Sequence, residues 1–148
     1  MKYIFFLTFM IAVSNSVSAQ FSQKFIVTEH SVAKNNYDSL AIENGITLML
    51  SQESDSSDVY FTNLWTAAET YSYGKINIIH YDEYDETIDS NPGSLLLFDW
   101  FYSNSYDENK GKAKVVLTIY SVNEKMYFKC EIFVLETNET LSYTGHLV

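Results

Sequence analysis

The stretch that decides the fold runs from residue 113 to residue 148. It reads Ala113-Lys-Val-Val-Leu-Thr-Ile-Tyr-Ser-Val122, Asn123-Glu124, Lys125-Met-Tyr-Phe-Lys-Cys-Glu-Ile-Phe-Val-Leu-Glu136, Thr137-Asn138-Glu139 and Thr140-Leu-Ser-Tyr-Thr-Gly-His-Leu-Val148. Runs rich in β-branched and aromatic residues, separated by two or three polar residues, are typical of antiparallel strands joined by tight turns. The sequence therefore predicts a three-stranded meander in the last third of the chain.

The turn Asn123-Glu124 predicts the register of the first hairpin. The pairs that follow from it are Val122–Lys125, Tyr120–Tyr127 and Thr118–Lys129 on one face, and Ile119–Phe128, Leu117–Cys130 and Val115–Ile132 on the other. A slip of one residue would carry Lys129 and Glu131 into the core, where charged groups without partners are costly to bury. Cys130, the only cysteine, is therefore expected to be a buried small hydrophobe rather than a reactive thiol.

Upstream of the meander the sequence predicts five more strands. They cover residues 21–32, 46–51, 59–65, 72–81 and 94–102. The last run is apolar on both faces apart from Asp99, which indicates a central strand covered on both sides. Residues 37–44 are predicted to be a loop with a short helical turn, which Asp38 or Ser39 caps and Asn44-Gly45 ends.

About eight strands with little helix predict an all-β fold. A sandwich and a barrel both bury one face of each sheet and control its edges. The sequence leaves these two architectures open: an antiparallel β-sandwich, or a small β-barrel of about eight strands, ending in either case in the three-stranded meander.

Residues 1–19 have the pattern of a secretory signal peptide. Lys2 precedes an apolar stretch from Tyr3 to Val13, and Val17-Ser18-Ala19 is a small-residue cleavage site. The apolar stretch is shorter than the roughly 20 residues that a membrane-spanning helix needs. We therefore expect cleavage before Gln20, a single β-rich domain over residues 20–148, a secreted or periplasmic location and no stable membrane insertion after cleavage.

The charge of the chain excludes some classes of partner. The formal net charge is −10, and the sequence contains no arginine. Nucleic-acid and phosphate recognition depend on basic patches and arginine forks, so no nucleic-acid partner is expected. The acidity favours solubility first, and a cation or a basic partner second.

No pattern of catalytic or metal-binding residues is recognisable. His30, His80 and His146 are far apart in sequence, and none has a second ligand type at metal-site spacing. There is no G-x-S-x-G elbow, phosphate-binding loop or glycine-rich dinucleotide turn. We therefore predict no enzymatic activity and no cofactor. An acid-using hydrolase centred on Asp99, which lies between Phe98 and Trp100, is a remote alternative.

One acidic segment is a weak candidate for a Ca²⁺ site. It carries the carboxylates Asp82, Glu83, Asp85, Glu86 and Asp89. Repelling carboxylates in an ordered loop favour a hard divalent cation, but the segment lacks the glycine and the terminal glutamate of an EF-hand loop. A solvated loop is the competing interpretation, and residues 107–111 form a second, weaker version of the same pattern.

Aromatic side chains are the most distinctive feature of the composition. Surface aromatics on a sheet can stack on sugars or cover a protein partner. The candidates for such contacts are Tyr81, Tyr84, Trp100, Tyr102 and Tyr127. The leading functional hypothesis is an exported, non-catalytic module that binds a protein or a surface polysaccharide. The alternative is a small β-barrel that carries an apolar ligand in its lumen, since eight strands can enclose one small molecule.

Overall fold

The computed structural model describes residues 21–32, 35–52 and 57–148, so the predicted signal peptide lies outside the described residues. The elements are β1 (Phe21–Val32), β2 (Asn35–Asn36), α1 (Asp38–Asn44), β3 (Ile46–Gln52), β4 (Val59–Trp65), β5 (Thr70–Tyr84), a 3-10 turn (Ile88–Ser90), β6 (Gly93–Asn104), β7 (Lys110–Val122), β8 (Lys125–Val134) and β9 (Glu139–Leu147).

The strands form a closed antiparallel barrel. From β3 to β9 every strand pairs with the next one in sequence, and β1 pairs with β3 on one side and with β9 on the other. The β1–β9 pairing joins the two ends of the sheet, so eight strands make a barrel and β2 adds a short extra strand at its side. The structure thus confirms the all-β prediction and selects the barrel over the sandwich.

The predicted hairpin register is confirmed. Tyr120 pairs with Tyr127 and Leu117 with Cys130, as the two-residue turn requires. Asn123 and Glu124 both have positive φ, at 48° and 70°. These values fit a type I′ turn, whose twist matches that of the flanking strands.

The middle of the barrel is filled by side chains. Every barrel strand contributes at least one buried hydrophobic residue to a single cluster, which includes Phe25, Leu48, Phe61, Ile76, Phe98, Trp100, Val115, Leu117, Phe128, Cys130, Ile132 and Tyr143. Aromatic rings meet edge to face within it, with ring centroids 5.3 Å apart for Phe25 and Phe128 and 5.4 Å for Phe61 and Phe98. An apolar ligand in the middle of the lumen would have to displace this core.

A glycine permits the barrel to close. Gly145 in β9 is buried and lies opposite Val27 of β1. A Cβ atom at this position would lie 1.8 Å from the carbonyl oxygen of Ile26 and 3.0 Å from the ring of Phe128. Only a residue without a side chain allows the β1 backbone to approach this closely.

The structure corrects the prediction that the strand over residues 94–102, now β6, is covered on both faces. Leu96, Phe98 and Trp100 are buried on the inner face, whereas Leu95 and Leu97 are half-buried and Phe101 is exposed on the outer face. The strand is not covered on both sides by described residues. A barrel of one closed sheet has a single inner face, so the outward apolar residues of β6 stay at the surface.

β5 is longer than predicted. It continues through the first acidic residues, and Asp82, Glu83 and Tyr84 pair with Leu95, Ser94 and Gly93 of β6. A bulge between Ile78 and His80 shifts the register before this extension. The pairing with β4 stops at Lys75, so beyond it β5 pairs only with β6 among the described strands.

The predicted helical turn is a seven-residue helix, α1, which ends at Gly45 in the left-handed conformation as expected. Its N-cap residue is Tyr37, which makes no side-chain capping bond, and Asp38 lies in the first turn. The Asp38 Oδ1 atom accepts the backbone N–H of His30 at 2.8 Å, which ties α1 to β1. Across the described ranges, no helix has the length and apolarity that crossing a membrane requires.

We expect Gly145→Ala to lower the free energy of unfolding by about 3 kcal/mol, because the new methyl group would push β9 away from β1. Thermal and denaturant unfolding measure the change. His146→Ala, at the exposed neighbouring position, is the matched control and should have little effect. Equal stabilities of the two variants would contradict the close approach at the seam.

We expect Cys130 to resist a water-soluble thiol reagent under native conditions. Its side chain is fully buried, and this burial raises the pKa of the thiol well above its ordinary value. Labelling should become fast only in denaturant, which mass spectrometry can follow. Rapid labelling of the folded protein would mean that the inward and outward faces of β8 are interchanged.

Candidate functional site

A cavity of about 360 Å³ lies at one end of the barrel, which we call the mouth. Its walls come from the ends of β1, β4 and β9, the start of β5 and the loop after β6. The lining residues are His30, Val32, Asn63, Trp65, Thr70, Tyr71, Ser72, Tyr106, Leu141 and Tyr143. Two of these lining residues, Tyr71 and Tyr106, are exposed, so the cavity is open to solvent.

The antiparallel order brings these segments together. The carboxyl ends of β1 and β4 and the amino ends of β5 and β9 all point to the mouth, since neighbouring strands alternate in direction. The loop after β6 is fastened over the same end, where Ser105 and Tyr71 exchange hydrogen bonds: the Ser105 N–H donates to the Tyr71 carbonyl, and the Tyr71 N–H donates to Ser105 Oγ, each at 2.9 Å.

The floor of the mouth is a stacked pair of rings. His30 lies flat on Tyr143, with ring centroids 4.4 Å apart and planes 4° from parallel. Trp65 meets the His30 ring edge to face at 5.9 Å. His30 Nδ1 lies 3.2 Å from the carbonyl oxygen of Ser142, which can only accept, so Nδ1 carries a proton. These contacts fix the imidazole plane at the boundary between the apolar core and the cavity.

Asn63 is the inward-facing polar residue of β4. Its Nδ2 donates to the hydroxyl oxygen of Tyr143 at 3.0 Å. Only 8% of Asn63 is exposed, and its Oδ1 has no hydrogen-bond partner. A buried amide oxygen without a partner is unfavourable, typically by about 1–3 kcal/mol. This oxygen has almost no solvent-accessible surface, so it is not an open binding position in the wall of the mouth.

The mouth is electrically neutral. None of its described lining residues is Asp, Glu, Lys or Arg. Burial lowers the pKa of His30, against smaller opposing effects of its bond to Ser142 and of the nearby Asp38. Burial likewise raises the pKa of Tyr143. Both rings are therefore uncharged at neutral pH, and the site offers stacking surfaces and hydrogen bonds rather than ionic contacts.

The serine hydroxyl in the lining is engaged by a neighbouring side chain. The Ser72 hydroxyl, which lines the cavity, donates to Asn104 Oδ1 at 2.6 Å. A nucleophile would need its proton directed to a base such as His30. The aromatic rings of the lining can bind and orient a molecule.

The five aromatic residues predicted to bind a partner do not form one surface patch, although Trp100 and Tyr102 are in contact. Trp100 is only 3% exposed and its indole N–H donates to the Phe61 carbonyl at 3.0 Å, so a partner at the surface would not reach its ring. Tyr102 packs on Trp100 and donates to Glu136, while Tyr127 stacks on Tyr120 on the outer wall. Tyr81 and Tyr84 lie at the barrel end opposite the mouth.

Burial and nearby carboxylates disfavour ionisation of two of these tyrosines. Burial raises the pKa of Tyr102 to about 12, and the adjacent Glu136 adds to the effect. Burial also raises the pKa of Tyr81 to about 12, and its hydroxyl donates to Glu83. These hydroxyls act as structural hydrogen-bond donors within the protein.

The acidic segment gives the calcium prediction no support. Asp82 and Glu83 belong to β5, Asp85 and Glu86 follow it, and Asp89 lies in the 3-10 turn. In the part of the chain that the structure describes, no three His, Cys, Asp or Glu side chains form a group that could hold a metal ion. The segment was predicted as one loop, and its division between a strand and a turn separates the carboxylates.

Asp99, the candidate acid of the hydrolase alternative, lies on the outer wall. Its carboxylate is 3.5 Å from Lys112 Nζ and 3.7 Å from Lys114 Nζ. The sequence placed Asp99 among apolar neighbours, but strand alternation turns it away from Phe98 and Trp100 and toward β7. Two ammonium groups beside it account for its presence in an apolar strand.

Sequence reasoning missed the residues of the mouth. A signal for Asn63 was present, because it occupies the same inward alternation as Val59, Phe61 and Trp65. A polar residue at such a position either has a buried partner or faces a cavity. No comparable signal existed for the meeting of His30, Asn63 and Tyr143, which are separated by long stretches of chain.

No family model, curated protein or solved structure matches this chain. The function is therefore inferred from the geometry of the mouth.

We expect the stability of the protein to fall as the pH is lowered from about 7.5 to about 5.5, in part because of His30. Its folded-state pKa lies below the ordinary value of 6.5, so the unfolded chain takes up a proton first. His30→Phe keeps an aromatic ring on Tyr143 and should show a smaller loss of unfolding free energy over this range. Denaturant titrations at each pH measure the difference.

The matched control is His146→Phe, at an exposed position of β9. It should retain the pH dependence of the unmodified protein. If the two histidine variants lose the same share of that dependence, His30 does not titrate as its burial implies.

Proposed function

We propose that the protein binds a small, uncharged molecule with a flat ring in the mouth, and that it does so without chemical reaction. The observation that carries the proposal is the open cavity at the mouth, whose lining includes the rings of His30, Trp65, Tyr71 and Tyr106. A volume of about 360 Å³ is within the range of small-molecule sites.

The lining supports an uncharged ligand over an ionic one. A carboxylate or phosphate would find no lysine or arginine among the described lining residues, and a buried charge without a counter-charge is unfavourable. Trp65, Tyr71 and Tyr106 offer faces and edges on which a planar ring can stack. This proposal moves the ligand of the barrel hypothesis from the lumen, which is packed, to its end.

Export remains part of the proposal. The signal-peptide pattern of residues 1–19 predicts that the ligand is met outside the cytoplasm, in a secreted or periplasmic protein. Strong acidity of the chain suits a soluble carrier or receptor there.

Binding of a surface polymer is a second candidate, and the exposed rings at the rim favour it. Tyr71 and Tyr106 are 47% and 64% exposed, and rings in this position stack on sugars. A polysaccharide would place one terminal ring in the mouth and leave the rest of the polymer outside. Competition between the free sugar and the polymer separates this case from a small aromatic ligand.

The test is a screen of uncharged single-ring and two-ring fragments by NMR. A fragment of about nine heavy atoms at roughly 0.5 kcal/mol per atom would bind with a Kd on the order of 1 mM. We expect such fragments to shift the backbone amide resonances of the residues that line the mouth. Absence of any binding fragment, or shifts confined to the opposite end of the barrel, would contradict the proposal.

Thr70→Trp should weaken fragment binding at least tenfold, because an indole ring in place of a small side chain would fill the mouth. Thr140→Trp adds the same bulk at an exposed position outside the cavity and is the matched control. Its affinity should equal that of the unmodified protein. Unchanged binding by Thr70→Trp would place the fragments elsewhere.

A further inference from the structure

We infer that the outer wall of the barrel binds an anionic polysaccharide, one whose sugar rings carry carboxylates. The inference rests on a row of side chains that crosses four neighbouring strands, which we call the outer row. Its members, in order from β4 to β7, are Tyr60, Lys75, Phe101 and Lys112. None of them lines the mouth, so this site is separate from the one of the proposed function.

The register of the sheet brings the members of the outer row side by side. Each is the direct cross-strand partner of the next, so their side chains are neighbours on one face. That face is the outer one, because the adjoining residues Phe61, Trp100 and Ala113 are buried in the core. The outer wall therefore presents a ring, an ammonium group, a second ring and a second ammonium group in turn.

The two rings of the outer row are partly accessible and have defined neighbours. Phe101 is 47% exposed, and the ammonium group of Lys112 lies 5.3 Å from the centroid of its ring. Tyr60 stacks on Tyr73 of β5, with centroids 5.1 Å apart and planes 7° from parallel. The strands that carry Tyr60 and Phe101 are about 10 Å apart, since neighbouring strands are spaced by about 4.8 Å. Rings at such an interval along a surface suit a polymer of rings better than one small molecule.

The charge around the outer row differs from that of the chain as a whole. The formal net charge is −10, yet four of the nine lysines lie in the row or beside it in β7: Lys75, Lys110, Lys112 and Lys114. Lys112 and Lys114 share one carboxylate, that of Asp99, so this pair has an excess of positive charge. Their side chains are 41% and 54% exposed, and ion pairs at such positions are weak. A carboxylate of a ligand can therefore bind these ammonium groups.

The remaining contacts favour a carboxylated sugar polymer over a nucleic acid. Rings that alternate with lysines also suit single-stranded nucleic acids, whose bases stack on aromatic side chains. Asp58 pairs with Lys75 at 3.1 Å, however, and Glu136 accepts the Lys112 N–H at 2.9 Å, so carboxylates also adjoin the row. A backbone with a phosphate on every unit would be repelled by them and by the acidic remainder of the chain. A sugar polymer places uncharged ring faces on the two rings of the row and its carboxylates at the ammonium groups.

The test is an NMR titration of the full chain with a linear galacturonic acid hexamer. Its fully methyl-esterified form has the same sugar rings without charge and is the matched probe. We expect the hexamer to shift the resonances of Phe101 and Lys112 and to bind at least tenfold more tightly than the ester. Its affinity should fall as the salt concentration rises, because exposed charges are screened. Absence of binding by the hexamer, or equal affinities of hexamer and ester, would overturn the inference.

Two variants test the outer row itself. Phe101→Thr and Lys112→Gln should each weaken binding of the hexamer at least fivefold, because they remove an exposed ring and an ammonium group from the outer surface. The matched controls are Tyr127→Thr and Lys129→Gln, which make the same changes elsewhere on the outer wall, in β8. Thermal unfolding verifies that each variant is folded. Controls that lose as much affinity as the variants of the row would overturn the inference.

Two other polymers separate the classes of partner. Polyglutamate carries carboxylates without sugar rings, and single-stranded oligothymidylate carries rings with a phosphate on every unit. We expect both to bind at least tenfold more weakly than the hexamer. Binding of polyglutamate as tight as that of the hexamer would assign the wall to an acidic protein, and equally tight binding of oligothymidylate would assign it to a nucleic acid. Either result would overturn the inference.

Discussion

The structure depends on the pairing of its first strand with its last. Without the β1–β9 ladder the remaining strands would form an open sheet with two long edges, and the apolar inner face would lack its opposite wall. Closure requires the β1 backbone to approach β9 closely at Gly145, where a side chain would collide with the Ile26 carbonyl. Because the pairing is the most distant in sequence, its loop-closure entropy is the largest that the fold has to offset.

Closure also determines where a binding site can be. An eight-stranded barrel is just wide enough for its inward side chains to fill. Large residues occupy the middle here, and Phe61, Phe98 and Trp100 alone form a continuous edge-to-face contact. Space for another molecule remains only at an end, where the strands diverge and the inward residues become polar. The mouth is thus a consequence of a packed interior.

Local features of the fold could be predicted from the sequence, and long-range ones could not. The β7–β8 register followed from a two-residue turn and strict alternation, which together allow a single pairing. The choice between sandwich and barrel depended on whether β1 meets β9, and no local pattern reports that contact. The end of α1 was predictable because Gly45 adopts a conformation that glycine favours, whereas the role of Asp38 depended on a partner, His30, in another element.

The candidate site was less predictable than the fold. Trp100 is aromatic and lies in a strand, but only the direction of its side chain separates a core residue from a surface contact. Asp99 and Trp100 are neighbours with opposite environments, one between two lysines and the other against Phe61. The acidic residues between Asp82 and Asp89 are close together in the sequence, but β5 ends at Tyr84, so some lie in the strand and the others follow it. Composition alone carries no information about such divisions.

The extension of β5 past β4 gives this closed barrel a short exposed edge after all. From Asn77 to His80 the strand pairs with β6 alone among the described strands, and Ile79 is half exposed there. Such an edge invites a second chain to add a strand, which is the first step of aggregation. The bulge between Ile78 and His80 makes the β5 edge irregular, which disfavours regular pairing with another strand. Asp82 and Glu83 lie further along the same strand, so two copies paired here would bring like charges close together. The carboxylates of the acidic segment therefore disfavour the pairing of two copies along this edge, an effect that needs no bound ion.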